Sequence, residues 1–515
     1  MYRVLSASKD TYITDKIINN NFRATDANVG FAGTLDLFKL YEESSYLSGT
    51  TRITGSVYEL SRILIKFDLD PLRALTASSL DISHSSFKCL LKLHDVYGGQ
   101  TTPSNFKLIV FPLSRSFDEG IGRDVVSYKD VDAANFLTAS TSGDTVVAWT
   151  HSGANQQGFL GFSDIDIISS GTLSGSSSTQ NINLWQAQTF TEGIEDLSID
   201  VTQIVSGTIA GLMPDHGFRI SYSGSQETDD RTRFVKRFAS RHASETRLRP
   251  KLIVKYDDSI EDNYESFFFN ISGSLFLNNF HRGQPKNLLT GTDGRLYGIS
   301  GSNCFILRIV SGSYSASITG SQHSIGSNFI TGVYSASFLI DEFSVTGSLG
   351  REIRNAGSAT FKSYWESLDG TLGFYTGSFV GHAVNRTSFE NVPPRLFINI
   401  TNLRKSYLPT DFTTLRVFVE NIEREIVAKK LPLETKSQIY TKMYYRVRDY
   451  EDDTVIVPFD TSTNSTKVST DSKGMYFSFY MSSLSPGRTY IFDFLIKDQD
   501  SDLLFTDVAA KFRID

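Results

Sequence analysis

Cysteine is nearly missing from this chain: Cys89 and Cys304 are the two present in 515 residues. Both are isolated in apolar contexts, Phe-Lys-Cys-Leu-Leu and Asn-Cys-Phe-Ile-Leu, so they read as buried free thiols and exclude a disulfide framework. The 8 histidines, at 84, 94, 151, 216, 242, 281, 323 and 382, never fall at the close spacings of zinc ligands, which removes the signature of zinc hydrolysis. Tryptophan numbers only 3, with no cluster of the kind that lines a polysaccharide cleft. No apolar run approaches the roughly 18 residues that cross a bilayer as a helix. The start, Met1-Tyr-Arg-Val-Leu-Ser-Ala-Ser-Lys-Asp, lacks a sustained apolar stretch, so no signal peptide is expected and synthesis in a cytoplasm is. An excess of positive charge is also missing: the formal net charge is −7, which argues against sequence-independent nucleic-acid binding.

Two aromatic residues are abundant, with 38 Phe and 23 Tyr, and they suit a half-buried pleated surface better than a helix. The 38 Gly, with many Ser and Thr, punctuate short apolar runs, which is how many strands joined by turns are encoded. A single core stops growing beyond ~250 to 300 residues, so the length implies several domains. The sequence therefore predicts an all-β protein of tandem β-sandwiches, divided at 1–258, 259–393 and 394–515.

In the first block, Asp10-Thr-Tyr-Ile opens a strand, Leu35-Asp-Leu-Phe-Lys-Leu alternates, and Arg62-Ile-Leu-Ile-Lys-Phe-Asp-Leu is the strongest strand signal. Asp70-Pro-Leu-Arg-Ala-Leu permits a short helical turn. Leu197-Ser-Ile-Asp-Val-Thr-Gln-Ile-Val, His216-Gly-Phe-Arg-Ile-Ser-Tyr, Phe238-Ala-Ser-Arg and Arg249-Pro-Lys-Leu-Ile-Val-Lys-Tyr follow in order. Together these segments resemble the DNRLRE-type, carbohydrate-binding-module-like jelly roll, whose first and last strands come together. One departure is His242, where members of that family often carry Glu after the Ser-Arg pair. About 116–195 is rich in Gly, Ser, Asp and Thr with weak strands at Thr145-Val-Val-Ala-Trp and Asp164-Ile-Asp-Ile-Ile; it reads as decorated loops and as a first guess for an interface.

The middle block, 259–393, is dense in Gly and Ser and repeats Tyr-Ser-Ala-Ser at Tyr314 and Tyr334. Two copies are too few for a solenoid, so paired strands within one sandwich are expected. Pro393-Pro394 marks the second boundary. About seven strand-like runs then follow, with a Ser485-Pro-Gly-Arg turn, which suits an immunoglobulin- or fibronectin-like sandwich. Tyr444-Tyr-Arg-Val-Arg-Asp-Tyr, Val457-Pro-Phe-Asp and Ser472-Lys-Gly-Met-Tyr-Phe-Ser-Phe-Tyr-Met in this block resemble modules of large contractile-tailed phages that infect marine bacteria.

Chemistry is thinly signalled. No Gly-x-Ser-x-Gly elbow is visible and no catalytic constellation stands out, so no enzymatic activity is expected. No cofactor is expected either, although structural calcium stays open, with Asp164, Asp166, Asp229 and Asp230 as conceivable oxygen ligands against the commoner reading of solvated acidic loops. The basic run Arg231, Arg233, Lys236, Arg237, Arg241, Arg247, Arg249 and Lys251 could place alternate members on one face as a docking edge, or could simply guard a solvated edge strand. The four Asn-x-Ser/Thr matches, at Asn270, Asn385, Asn399 and Asn464, are read as chance.

Strings of sandwiches without export signal, cysteine or catalytic motif suit a virion structural protein of a tailed phage's neck, tail or baseplate, made in the host cytoplasm. Its expected partners are other virion proteins and copies of itself in a ring-like assembly, with no membrane and no nucleic acid. The alternative is a carbohydrate-binding adhesin that uses Trp149, Trp185 and Tyr222 on host surface glycans.

Overall fold

The structure is a computed structural model, and its described residues are 1–19, 21–48, 50–126, 130, 132–173, 181–292, 295–341, 348–383, 395–422, 437–497, 502–506, 508 and 510–515. It is an all-β protein built of several sandwich-like sheets. The Pro393-Pro394 boundary expected from the sequence lies outside the described residues. Two compact units emerge, one of Arg3–Arg73 with Lys88–Val254, the other of Met1–Tyr2, Ala74–Phe87 and Lys255–Asp515. Among the described residues no helix is long and apolar enough to cross a membrane.

The first of these units is organised by a ten-stranded sheet. Along it run Gln186–Phe190, Phe106–Pro112, Phe218–Tyr222, Thr51–Phe67, Tyr2–Thr14, Lys251–Lys255, Lys88–Leu93 and Leu197–Asp200, while Thr34–Ser48 pairs with both Thr51–Phe67 and Arg233–Ala239. The opening strand thus lies beside the closing one, some 240 residues away in the chain. Ile63, Leu64 and Ile65 are all inaccessible, so this strand is covered on both faces and not on one. The second cover comes from 116–195. Its Phe117, Ala134, Ala139, Trp149 and Ile167 pack on Ile13, Leu64 and Phe111 as a separate apolar cluster. Among its described residues the region read as loops keeps much exposed, irregular backbone but sends a buried subset onto the sheet, with short strands at Thr138–Ser142, Thr145–Ala148, Gln157–Phe159 and Ile167–Gly171. Its polar composition hid this because few of its residues are needed to cover the sheet.

In the other unit, a seven-stranded sheet runs Phe267–Phe268, Gly373–His382, Ser358–Glu366, Phe305–Ser311, Tyr314–Ile325, Asn328–Phe338 and Gly273–Asn278. Its core is aromatic: Phe305 stacks on Trp365 at 5.0 Å, and Phe361 on Phe379 at 5.2 Å. The two strands bearing Tyr-Ser-Ala-Ser are antiparallel neighbours, with Gln322 opposite Tyr334. Further along, a four-stranded sheet (Leu396–Ile400, Phe412–Asn421, Gly474–Tyr480, Ser469–Asp471) accompanies a six-stranded one built on Met443–Asp449 and Thr489–Lys497. Phe477 from the first stacks on Tyr445 of the second at 4.3 Å and meets Phe492 at 5.3 Å, so the two sheets face each other as a sandwich. The Ser485 turn is latched to it: the Tyr490 hydroxyl donates to the Ser485 carbonyl at 2.9 Å and accepts its N–H at 3.0 Å. A tyrosine latched to the backbone of the preceding turn in this way is also a feature of immunoglobulin-like sandwiches.

A candidate docking arm and a carboxylate–histidine centre

The basic run does not form a free stripe. A bulge between Arg233 and Lys236 breaks the period of two, and both side chains turn inward. Arg233 grips Asp229 with two nitrogens at 2.8 and 2.6 Å. Lys236, fully inaccessible, meets Asp95 at 2.5 Å and the carbonyls of Gly193 and Glu195 at 2.8 Å. Arg237 forks onto Asp36 at 2.8 and 2.7 Å, and Arg241 onto Glu119 at 2.6 and 2.9 Å. Arg247 pairs with Glu245 at 3.3 Å, and Arg249 donates to the Ala243 carbonyl at 3.0 Å. Arg231 is the exposed member, and Lys251 is half-buried, its ammonium pushed down to about 8 by burial and by Lys92 and Arg247. The run is mostly an internal set of ion pairs, whose acids at 36, 95 and 119 are too distant in sequence to be matched to it beforehand.

The proposed sugar-stacking rings divide similarly. Trp149 and Tyr222 are core residues, the first donating to the Asn135 carbonyl at 2.9 Å; Trp185, 36% exposed, is the accessible one. Of the conceivable calcium ligands Asp164 and Asp230 are exposed, while Asp166 and Asp229 are engaged within the fold. The Asp166 carboxylate is buried and accepts N–H groups of Thr150, His151 and Gln156, while Asp229 is shared by Arg233 and Lys39. Cys89 is buried and Cys304 half-buried, both free.

Two features were not legible beforehand. The first is an arm. Thr34–Ser48 and Thr51–Phe67 pair from Lys39 opposite Leu60 to Ser48 opposite Thr51. Pairing of this hairpin to Arg233–Ala239 ends at Lys39, and pairing to Tyr2–Thr14 begins at Ser61. Beyond Tyr41 seven residue pairs continue with no third strand among the described residues. At about 3.3 Å per residue this ribbon extends roughly 23 Å. Its base is clamped: Lys39, inaccessible to solvent, sits 5.4 and 5.3 Å from the rings of Tyr41 and Tyr58 and donates to Asp229 and to the Arg231 carbonyl. Thr232 adds a reciprocal hydroxyl bridge to the Tyr41 backbone.

The second feature lies where the opening strand, the loop after Phe117 and the closing segment converge. Asn28 fixes that loop, donating to the carbonyls of Glu119 and Ala134 and accepting from the N–H groups of Gly30 and Gly122. Gly30 is required: a Cβ there would lie 1.9 Å from the Glu119 oxygen. The Asp10 N–H donates to Glu119 Oε1 at 2.9 Å, and the Arg241 N–H to Asp10 Oδ2 at 2.6 Å. His242 Nε2 stands 3.4 Å from Glu119 Oε1, and Phe31 covers its ring at 4.3 Å. Burial, partly offset by the Arg241 N–H, pushes the Asp10 carboxyl up to about 7, and burial pushes the His242 imidazole down. Asp10 Oδ1 and His242 Nε2 have no hydrogen-bond partner. Asp10, Glu119 and His242 form the one group of metal-ligating type found among the described residues. Sequence flagged Asp10, Arg241 and His242 separately but gave no sign of Glu119. No family model matches the chain, and no curated protein matches it.

Proposed function

We propose that this chain is a non-enzymatic structural component of a tailed-phage virion, of the neck, tail or baseplate region, made in the host cytoplasm and acting by docking to copies of itself and to other virion proteins. The arm carries the reading. A two-stranded ribbon alone in water is marginally stable, and each of its outer edges offers unpaired N–H and C=O groups to another chain. An arm clamped at its base, with no third strand beyond Tyr41 among the described residues, makes sense where a neighbour completes it. Ile121, Val126, Phe162 and Ile194, all more than half exposed in the inserted region, add apolar surface suited to burial in an assembly. Repeated contacts of this kind hold a ring without metal or covalent links.

The test replaces residues 43–56 by an Asn-Gly turn, which leaves the clamp at Lys39, Tyr41 and Tyr58 in place. The expected result is a folded chain that no longer assembles, read by sedimentation, and that is lost from particles. Purified particles whose mass spectrum lacks the unaltered chain overturn the virion reading. A glycan-binding adhesin is the second reading, favoured by the exposure of Trp185; saturable binding on a glycan array, abolished by Trp185→Ala, would establish it.

A further inference from the structure

Two unsatisfied atoms at one buried point need explaining. Burying Asp10 Oδ1 and His242 Nε2 without good hydrogen-bond partners is unfavourable, because each gives up its bonds to water. Asp10 is wholly inaccessible, and His242 is stacked under Phe31, so bulk water does not serve them freely. One atom each of Asp10, Glu119 and His242 lies within 4.8 Å of the others. The 3.4 Å separation of His242 Nε2 from Glu119 Oε1 is long and poorly aligned, so the carboxylate interacts with the ring without satisfying it by a good hydrogen bond. The separation does match the edge of a tetrahedron about an ion held at about 2.0–2.2 Å by nitrogen and oxygen ligands.

We propose that Asp10, Glu119 and His242 bind a divalent transition-metal ion of the zinc type, which ties the opening strand and the inserted loop to the closing segment. An imidazole with two carboxylates suits zinc; calcium prefers six to eight oxygens, which this centre does not present. The two carboxylates are balanced by the Arg241 and Arg249 guanidiniums, so the ion is held by direct coordination and not by a net negative field. Arg241 is a positioning residue. Its two-pronged hold on Glu119 fixes that carboxylate, and its N–H occupies Asp10 Oδ2, which leaves Oδ1 without a hydrogen bond of its own. The ion's role is structural, because it joins segments 109 and 122 residues apart in the chain.

The full-length chain, stripped with a chelator and dialysed, is titrated with ZnCl2 and, separately, with CaCl2. Saturable uptake of a single zinc ion is expected, with an upward shift in Tm, since a ligand bound only by the folded state stabilises it. Both effects should weaken at least about tenfold in His242→Gln and in Asp10→Asn. No saturable zinc uptake, uptake unchanged in both variants, or calcium binding that His242→Gln leaves intact in place of zinc binding overturns the proposal. Should either variant fail to fold, cobalt(II) added to the unaltered chain decides. The intense visible bands of a four-coordinate ion support the site, and the pale spectrum of the hydrated ion refutes it.

Discussion

Arg62 and Glu227 form a two-pronged ion pair at 3.0 and 2.8 Å with almost no access to water. They also answer for a third charge. Arg219 is buried beside them, bonded to the Ala154 carbonyl and the Ser221 hydroxyl, and its guanidinium is pushed down to about 9 by burial and by Arg62. Glu227 is thus the counter-ion of two arginines, and its own carboxyl is held below the usual range, chiefly by Arg62, despite its burial. Glu227→Gln should cost about 3–5 kcal/mol in denaturant unfolding, because it strands buried positive charge. Arg62→Met combined with Glu227→Leu should cost clearly less than the two single losses together; an additive result would mean that the charges do not act as a unit.

The latch between Tyr490 and Ser485 makes a separate claim. Tyr490→Phe keeps the ring in the core but leaves the Ser485 N–H and C=O without their partner. A loss of about 1–3 kcal/mol is expected. Urea unfolding of the variant measures it, and a change within about 0.5 kcal/mol, typical of a neutral surface site, would show that water replaces the hydroxyl.

The pH dependence has a definite sign at Asp262. This carboxyl is buried, and burial pushes it up to about 7 from an ordinary 3.8, although N–H groups of Tyr264 and Phe276 favour its charged form. Because the folded chain holds the proton more tightly than the unfolded one, the stabilising contribution is complete below about pH 4. It is lost as pH rises through 7, and amounts to about 4 kcal/mol across the window. Asp262→Asn should remove this slope, so that variant and parent differ in stability at pH 7 by an amount that changes steadily toward pH 4. Parallel stability curves from pH 4 to 7 would contradict it.

What the residues revealed in advance follows from range. Strands such as Arg62–Leu69, the short helix after Asp70 and the sandwich signalled near Ser485 rest on local alternation and turn chemistry, which neighbouring residues encode. The adjacency of the first and last strands came from an ordered series of motifs. Partnerships did not come through. The acids of the basic run, Asp36, Asp95 and Glu119, lie more than 100 residues from their cations. A single bulge at Arg233–Lys236 reversed which side chains face out. The arm escaped because a hairpin's alternation does not say where a third strand stops pairing with it.

The tryptophans separate core from contact surface in one measurement. Trp149 packs with Phe117 and Ala139 over the main sheet, Trp365 stacks under Phe305, and neither exceeds 5% exposure, whereas Trp185 reaches 36%. Iodide should therefore quench one emission component, and Trp185→Phe should abolish that component while leaving blue-shifted, unquenched fluorescence from the other two. Stability should divide in the same way: Trp149→Ala at about 3–5 kcal/mol, Trp185→Ala within about 0.5 kcal/mol. If iodide still quenched the Trp185→Phe variant, the layer formed by 116–195 would be opening in solution. Trp149 would then become available to a ligand, which its packing against the sheet otherwise forbids.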